Sequence, residues 1–162
     1  MKKYLLLLAI LFASCAEQKQ EPKTAGYSIR GEEESYMIGS DETTDFIKKW
    51  ADAHNERDME SILSMEKADI KIELPDGTII NGQDEHSKVL ESFFANNVTW
   101  KPYWMLPYNS VVAKETWVIA GFALTSNVDG EENVVLHMGD IQLEDGLVSR
   151  IIVYENQRPK KK

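Results

Sequence analysis

From Asn96 and Asn97 onward, the hydrophobic pattern of this chain keeps a strand period. Before this point, most apolar residues recur three and four positions apart, as they do in amphipathic helices, and one alternating stretch, 69–74, predicts a strand. After it come four stretches rich in β-branched and aromatic residues: 98–108, 111–125, 134–143 and 147–154. Turn sequences at 127–130 and 144–146 separate the last three stretches. Helices followed by hairpin-linked strands predict an α+β domain with a curved antiparallel sheet and a hollow between sheet and helices.

Three helices are predicted in the first half of the chain, and we expect them to pack on the concave face of the sheet. The first begins near Asp41 and buries Trp50 and Ala53 on one face. Asp58 can cap a second, short helix, and a third is expected over 83–95.

The N-terminus has the order of a secretory signal: basic residues, an apolar run over 4–13, and small residues. That run is too short to span a bilayer, which needs about 20 residues. The residues that end it, Leu11 to Cys15, resemble the lipobox of bacterial lipoproteins. This resemblance implies removal of residues 1–14, acylation of Cys15 with fatty acids such as palmitate, and a lipid anchor in the cell envelope. Ala16 resembles the pattern sent to the outer membrane in Gram-negative bacteria; the alternative is an ordinary cleaved signal with an incidental cysteine.

Polar segments flank the predicted domain. Residues 15–40 are acidic and nearly aperiodic, which predicts a flexible tether between membrane and domain. A short docked segment within the tether would use its few apolar residues: Tyr27, Ile29, Tyr36, Met37 and Ile38. The domain itself is predicted over 41–156, and the basic residues 157–162 are expected to form a solvated tail.

Composition excludes several classes of protein. The chain has 162 residues, of which 43% are hydrophobic, as is typical of one globular domain. Its formal net charge of −9 shows that the chain lacks the excess of basic residues expected of a protein that binds nucleic acid. A single cysteine excludes an intramolecular disulfide and a cysteine-based zinc cluster. Because the sequence has three histidines and no HExxH motif, phosphate-binding glycine loop or nucleophile elbow, we expect neither a metal nor a cofactor.

Three short motifs, through their order and spacing, carry a resemblance to a known family. They are residues 50–58 (WADAHNERD), 74–82 (LPDGTIING) and 144–148 (EDGLV). The region from about 41 to 154 resembles the NTF2-like superfamily, especially its SnoaL-like and ketosteroid-isomerase-like branches. The resemblance implies a cone-shaped fold, an apolar pocket, and homodimers formed through the outer face of the sheet.

Ketosteroid isomerases of this superfamily move a proton with a carboxylate base and stabilise the oxyanion with a tyrosine and a protonated aspartic acid. The resemblance puts Glu73 at the position of the base and Trp50 at that of the tyrosine. Gly139 stands at the aspartic acid position, next to Asp140. Two of the three groups are missing, so we infer that the chain is not a ketosteroid isomerase. Glu73 is either a pocket carboxylate or part of a solvated strand face, because it alternates with the apolar residues of 70–74.

Histidines are the other candidate acid–base groups, since dehydratases and epoxide hydrolases of the superfamily combine histidine with carboxylates. His137 lies on the strand face expected to be buried, where it is either a base or a core hydrogen-bonding group. His54 ends the first helix, where a cation also suits the helix dipole. His86 lies in the first turn of the third helix beside acidic residues and is expected to be exposed.

The predicted pocket combines aromatic residues with the two candidate histidines: Trp50, His54, Phe93, Phe94, Trp104, Trp117 and His137. The same aromatics could instead fill the cavity as packed core.

The preferred interpretation is a lipid-anchored domain that binds a small apolar ligand or a partner protein, with no specific activity assigned. One alternative is an enzyme, a proton-transfer isomerase, dehydratase or hydrolase, that uses Glu73, His137 and His54. The other is a dimeric assembly module. The enzyme predicts a carboxylate and a histidine in one cavity, and the binding protein predicts an open aromatic pocket without paired titratable groups. The assembly module predicts a filled cavity and an apolar outer face.

Overall fold

Seven strands form one curved, open sheet, and three helices lie on its concave side. The computed structural model describes residues 23–26, 28, 34–128 and 130–156. In chain order the elements are β1 (Tyr36–Ile38), α1 (Asp41–Glu56), α2 (Met59–Ser64), β2 (Glu66–Glu73), β3 (Ile79–Asn81), α3 (Gln83–Ala95), β4 (Thr99–Ser110), β5 (Thr116–Val128), β6 (Glu131–Glu144) and β7 (Leu147–Asn156). The strand order is β1-β4-β5-β6-β7-β2-β3. The predicted α+β class and the three helices are confirmed.

Several predictions fall on residues outside the described part of the chain. These are the signal peptide, the lipidation site Cys15, the apolar tether residues Tyr27 and Ile29, and the basic tail over 157–162. Among the described residues, no helix is long and apolar enough to cross a bilayer.

The two N-terminal helices are separated by a sharp turn whose residues have clear local roles. Asp41 and Glu42 in the first turn of α1 complement the positive end of the helix dipole. Arg57 ends α1 with a left-handed backbone, φ 60°. Asp58 then caps α2, because its carboxylate accepts a hydrogen bond from the Ser61 amide at 3.0 Å. The turn places α2 against α1.

The core fills most of the space between the helices and the sheet. Its largest fully buried side chains come from all three helices and four strands: Ile47, Trp50, Ile62, Ile70, Leu90, Val118, Ile141 and Val148. Burying this apolar surface at about 25 cal/mol per Å² is the main term that holds helices on the sheet.

One strand pairing departs from the antiparallel sheet that we predicted. β2 and β7 run parallel, with Ile72 opposite Ile151 and Glu73 opposite Ile152. The other pairings of neighbouring strands are antiparallel. Parallel neighbours need a long connection, and here α3 and four strands intervene in the chain. No short turn joins β2 to β7, so the sequence carries no local signal for this pairing.

Part of the predicted tether is packed on the domain, before the predicted domain start at residue 41: Ala25 forms a β-bridge with Tyr36, and Glu34 contacts the loop after β4. The Glu34 carboxylate accepts hydrogen bonds from the consecutive backbone amides of 111–113, each at 2.8 Å. These bonds, the one from Val112 foremost, hold the pKa of Glu34 below its ordinary value. Residues 36–38 then pair with β4 as the docked segment that the sequence allowed. The predicted tether, 15–40, is therefore too long, because composition alone does not reveal that one carboxylate fixes this segment.

Candidate functional site

A partly open cavity of about 80 Å³ lies between α1, α3 and the concave face of the sheet. Most of its lining residues are apolar, and two are histidines: Trp50, Ile72, Leu74, Ile80, His86, Val89, Phe93, Trp100, Phe122, Leu124, His137, Met138, Gly139, Ile141, Ile151 and Val153. An apolar cavity of roughly 150 Å³ can hold benzene. This cavity therefore fits a small group, or one end of a longer molecule that extends through the opening.

A buried carboxylate, Glu66 at the start of β2, lies behind the helical wall of the cavity and is 3% exposed. Its Oε1 accepts a hydrogen bond from Trp50 Nε1 at 2.8 Å, and its Oε2 lies 3.0 Å from His86 Nδ1. With the carboxylate as acceptor of this hydrogen bond, His86 donates from Nδ1. Trp50 and His86 both line the cavity, and Glu66 therefore orients the polar part of the wall from behind.

His54 lies next to this pair and is also 3% exposed. Its Nδ1 is 2.7 Å from the carbonyl oxygen of Trp50, so Nδ1 donates and Nε2 is left as a lone-pair acceptor. Nε2 is buried and has no hydrogen-bond partner within the described part of the chain. The ring stacks on Trp100, with centroids 4.4 Å apart. Burial lowers the pKa of His54 to about 3, so this imidazole is neutral at physiological pH.

A second histidine–carboxylate pair borders the cavity from the sheet. His137 on β6 lies opposite Glu155 on β7, and its Nε2 is 3.3 Å from Glu155 Oε2. The side chain of His137 is 21% exposed, whereas that of His86 is 4% exposed. Water screens the more exposed pair and weakens its attraction. The cavity is therefore bordered by one buried histidine–carboxylate pair, His86 with Glu66, and one more exposed pair, His137 with Glu155.

Glu73, the candidate base, does not reach the cavity. Arg150 donates to its Oε1 from Nε at 2.9 Å and from Nη2 at 2.6 Å, and Lys71 Nζ lies at 3.1 Å. The bonds from Arg150 and Lys71 hold the pKa of Glu73 below its ordinary value. Ile70 and Ile72 face inward, so Glu73 lies on the opposite, solvated face of β2. A pocket carboxylate at this position is therefore wrong.

The aromatic residues of the predicted pocket divide between the two faces of the sheet. Trp50 and Phe93 line the cavity, while Phe94 packs at the edge of the core. Trp117 stacks on Tyr108 and pairs with it, on the face opposite Val118. Trp104 is 39% exposed on that same outer face. The pocket assignments of Trp104 and Trp117 are wrong, because alternate residues of a strand point to opposite faces.

The structure also corrects the placement of His86 and adds residues that the sequence analysis missed. His86 was expected to be exposed, yet it is buried and forms the polar wall with Glu66. Helix periodicity contained the signal, since Leu90 and Phe93 lie four and seven positions after His86. Trp100, which lines the cavity and stacks on His54, was also missed. His54 and Phe94, which were predicted in the pocket, are not among the residues that line the cavity.

Sequence comparisons identify no relatives: no family model matches the chain, and no curated protein matches it.

Solved structures do match. A protein from Kribbella flavida provisionally assigned as a ketosteroid isomerase is 17% identical, with a TM-score of 0.61 over 77% of this chain and 85% of that one. SalBIII, an epoxide hydrolase/cyclase-like enzyme described for pyran ring formation in the polyether salinomycin, is 16% identical, with a TM-score of 0.62 over 71% and 91%. An NTF2-like protein of unknown function from Cytophaga hutchinsonii is 15% identical, with a TM-score of 0.54 over 70% and 89%.

The chain therefore has the cone-shaped NTF2-like fold, which it shares with ketosteroid-isomerase-like and SnoaL-like proteins. The predicted resemblance is confirmed at the level of fold. At these identities the likeness shows no activity, because one fold hosts many unrelated functions. Fold and site together define an NTF2-like domain with a partly open apolar cavity and a buried histidine–carboxylate pair in its wall.

Proposed function

We propose that this protein is a lipid-anchored NTF2-like domain of the cell envelope that binds a small, mostly apolar molecule in the cavity. The cavity itself carries the proposal: its walls are apolar, and His86 offers one oriented polar contact. The lipobox-like residues that end at Cys15 support the anchor. Removal of residues 1–14, which contain Lys2 and Lys3 and no acidic residue, changes the formal net charge from −9 to −11, so the acyl chains rather than a basic patch would hold the chain on an anionic membrane.

Filling the cavity tests this function. Gly139 lies in the cavity wall, and a Cβ atom added there meets Ile141, Ile151 and Phe122 at 3.7, 3.9 and 4.0 Å. Alanine therefore fits, whereas the leucine side chain of Gly139→Leu extends into the cavity. We expect Gly139→Leu to weaken binding of the fluorescent probe anilinonaphthalene sulfonate by about tenfold or more, and Gly139→Ala by less than about twofold. Fluorescence titration measures both, and equal affinity in all three proteins would place the probe outside the cavity and contradict the proposal.

The second candidate function is proton transfer, and the buried pair of Glu66 and His86 favours it. A histidine whose tautomer is fixed by a carboxylate, at an apolar cavity, has the arrangement of a general base. This pair replaces the set of Glu73, His137 and His54 considered from the sequence.

Exchange of an activated C–H proton for deuterium, in a small cyclic ketone added to the full chain, tests this second function. Glu66→Gln and His86→Gln should each slow the exchange by about 100-fold, as loss of a general base does. Glu73→Gln, which makes the same chemical change on the solvated face of β2, serves as the control and should leave the rate nearly unchanged. Exchange by the wild type at the rate of buffer alone would remove the proton-transfer function.

We further propose that two copies of the chain pair through the outer face of the sheet. One row across four strands places Trp104, Met138 and Tyr154 side by side, and all three are exposed. The neighbouring row contains exposed Leu106 and half-buried Asp140. Burial raises the pKa of Asp140, which favours its uncharged form on this apolar face. A contiguous apolar face of this kind marks an interaction surface.

Analytical ultracentrifugation, which measures the mass of the sedimenting species, tests this pairing. The wild type should sediment at twice the mass of one chain, and Leu106→Glu should shift it to the mass of one chain. Val112→Glu is the matched control, since Val112 is 49% exposed beyond the end of β4 and away from this face. A monomeric wild type at high micromolar concentration would rule out the pairing.

A further inference from the structure

We infer that His54, Glu66 and His86 form a binding site for a divalent transition metal ion, with Zn²⁺ as the simplest occupant, behind the helical wall of the cavity. One donor atom from each residue lies within 4.8 Å of the other two, and all three residues are buried. Two imidazoles and a carboxylate form a donor set that zinc takes in proteins. The inference goes beyond the proposed function and does not depend on which molecule enters the cavity.

The spacing of the donors is close to what one ion requires. Zinc lies about 2.0–2.1 Å from nitrogen and carboxylate ligands, so two ligands of a tetrahedral ion are separated by roughly 3.3 Å. Glu66 Oε2 and His86 Nδ1 are already 3.0 Å apart. His54 has to approach by about 1.5 Å at most to complete the set, since the widest spacing is no more than 4.8 Å. An ion in this position would take the place of the proton between Glu66 and His86.

An unpartnered buried nitrogen is the second observation that points to a ligand here. His54 Nε2 is buried without a hydrogen-bond partner among the residues described. Its other nitrogen donates to the Trp50 carbonyl, and such a backbone contact is how a ligating histidine is usually fixed in orientation and tautomer. Because Nδ1 carries the proton that is donated to Trp50, Nε2 has the lone pair that can bind a ligand. A buried acceptor left unsatisfied costs free energy, and a metal ion would supply its missing partner.

The surroundings of the cluster also match a metal site. Trp50 Nε1 holds Oε1 of Glu66 at 2.8 Å, which leaves Oε2 turned toward the histidines. His86 lines the cavity, so of the three donor residues it is the one through which the cluster borders the cavity. Three protein ligands, rather than four, are the pattern of catalytic zinc sites.

The test is metal binding by the full chain after treatment with a chelator. Isothermal titration with Zn²⁺ at pH 7, with elemental analysis of the dialysed product, should give one ion per chain with a micromolar or tighter Kd. His54→Gln, His86→Gln and Glu66→Gln should each weaken the Kd by about 100-fold, as loss of a ligand does. His137→Gln is the matched control, because it removes an imidazole from the same cavity but outside the cluster, and its Kd should stay within about twofold.

Two further measurements keep the test decisive if a variant does not fold. X-ray absorption of the zinc-loaded wild type should show two imidazoles and a carboxylate oxygen at about 2.0–2.1 Å. Gly139→Leu should keep the ion while it loses the fluorescent probe, so failure of the metal site and failure of the proposed function are distinguishable. Binding that is lost in His137→Gln but kept in His54→Gln, or no binding below millimolar Zn²⁺, overturns the inference. In that event a water molecule is the simplest partner for His54 Nε2.

Discussion

Trp50→Ala is expected to lower the free energy of unfolding by about 3–5 kcal/mol, as large-to-small changes of buried aromatic residues do. The side chain of Trp50 is 1% exposed and belongs to the central core cluster. The change also removes the indole N–H that Glu66 Oε1 accepts at 2.8 Å. Urea denaturation followed by circular dichroism measures the loss. Lys49→Ala, at the exposed neighbouring position of α1, is the control and should change stability by less than about 0.5 kcal/mol.

Trp50→Phe separates packing from hydrogen bonding at this position. Phenylalanine keeps much of the buried apolar area but leaves Glu66 Oε1 without the donor that it has in the wild type. An unsatisfied buried acceptor costs about 1–3 kcal/mol, so this variant should fall between the wild type and Trp50→Ala. A stability equal to that of the wild type would show that the indole N–H does not hold Glu66, and the orientation of the Glu66–His86 pair would then need another cause.

The fold was predictable because its strongest signals are local. The change of period near Asn97 and the Asp-Gly turn at 145–146 separate helices from strands and mark the last hairpin. The β2–β7 pairing was not predictable in the same way, since the partners Ile72 and Ile151 are far apart in the sequence. The hydrogen bonds of the Glu34 carboxylate were unpredictable for the same reason, because the backbone amides of 111–113 lie 77 to 79 residues away in the sequence.

The site was less predictable, because it depends on which face each side chain occupies. Along β5, alternate side chains point to opposite faces, so Val118 faces the core and Trp117 faces outward. The sequence alone does not show which of the two sets faces the core. A bulge between Pro102 and Trp104 shifts the register of β4 without any turn signal. The role of Glu66 depends on hydrogen bonds with Trp50 and His86, which lie 16 and 20 residues away in the sequence. His86 is the exception, since its helical spacing to Leu90 and Phe93 outweighs its acidic neighbours.

The structure combines features that the sequence analysis assigned to three different kinds of protein. An open aromatic cavity and a buried histidine–carboxylate pair occur together, so the features expected of a binding protein and of an enzyme coincide. The assembly module predicted a filled cavity, yet an apolar outer face accompanies a cavity of about 80 Å³. Pairing of two copies is thus compatible with a ligand site, because the two surfaces lie on opposite faces of one sheet.

Acid should destabilise the metal-free protein through His54. Burial lowers the pKa of His54 from its ordinary value of 6.5 to about 3. Between these values the unfolded chain binds a proton at this residue and the folded chain does not. The free energy of unfolding should therefore fall as the pH falls below about 6.5, by up to about 1.4 kcal/mol per pH unit and about 5 kcal/mol in total. Urea denaturation of chelator-treated protein at pH 7, 6, 5 and 4 measures this slope.

His54→Phe isolates this contribution, because phenylalanine can occupy the space against Trp100 but does not titrate. The variant should lose the slope between pH 6.5 and 5, where Glu34 and Glu73 are ionised because their pKa values lie below the ordinary carboxyl range. His86 and Glu66 face His54 from α3 and β2 and are present in both proteins, so the difference in slope reports His54 together with its electrostatic coupling to His86. If both proteins show the same slope, the pKa of His54 is the same in the folded and the unfolded chain, and burial does not lower it.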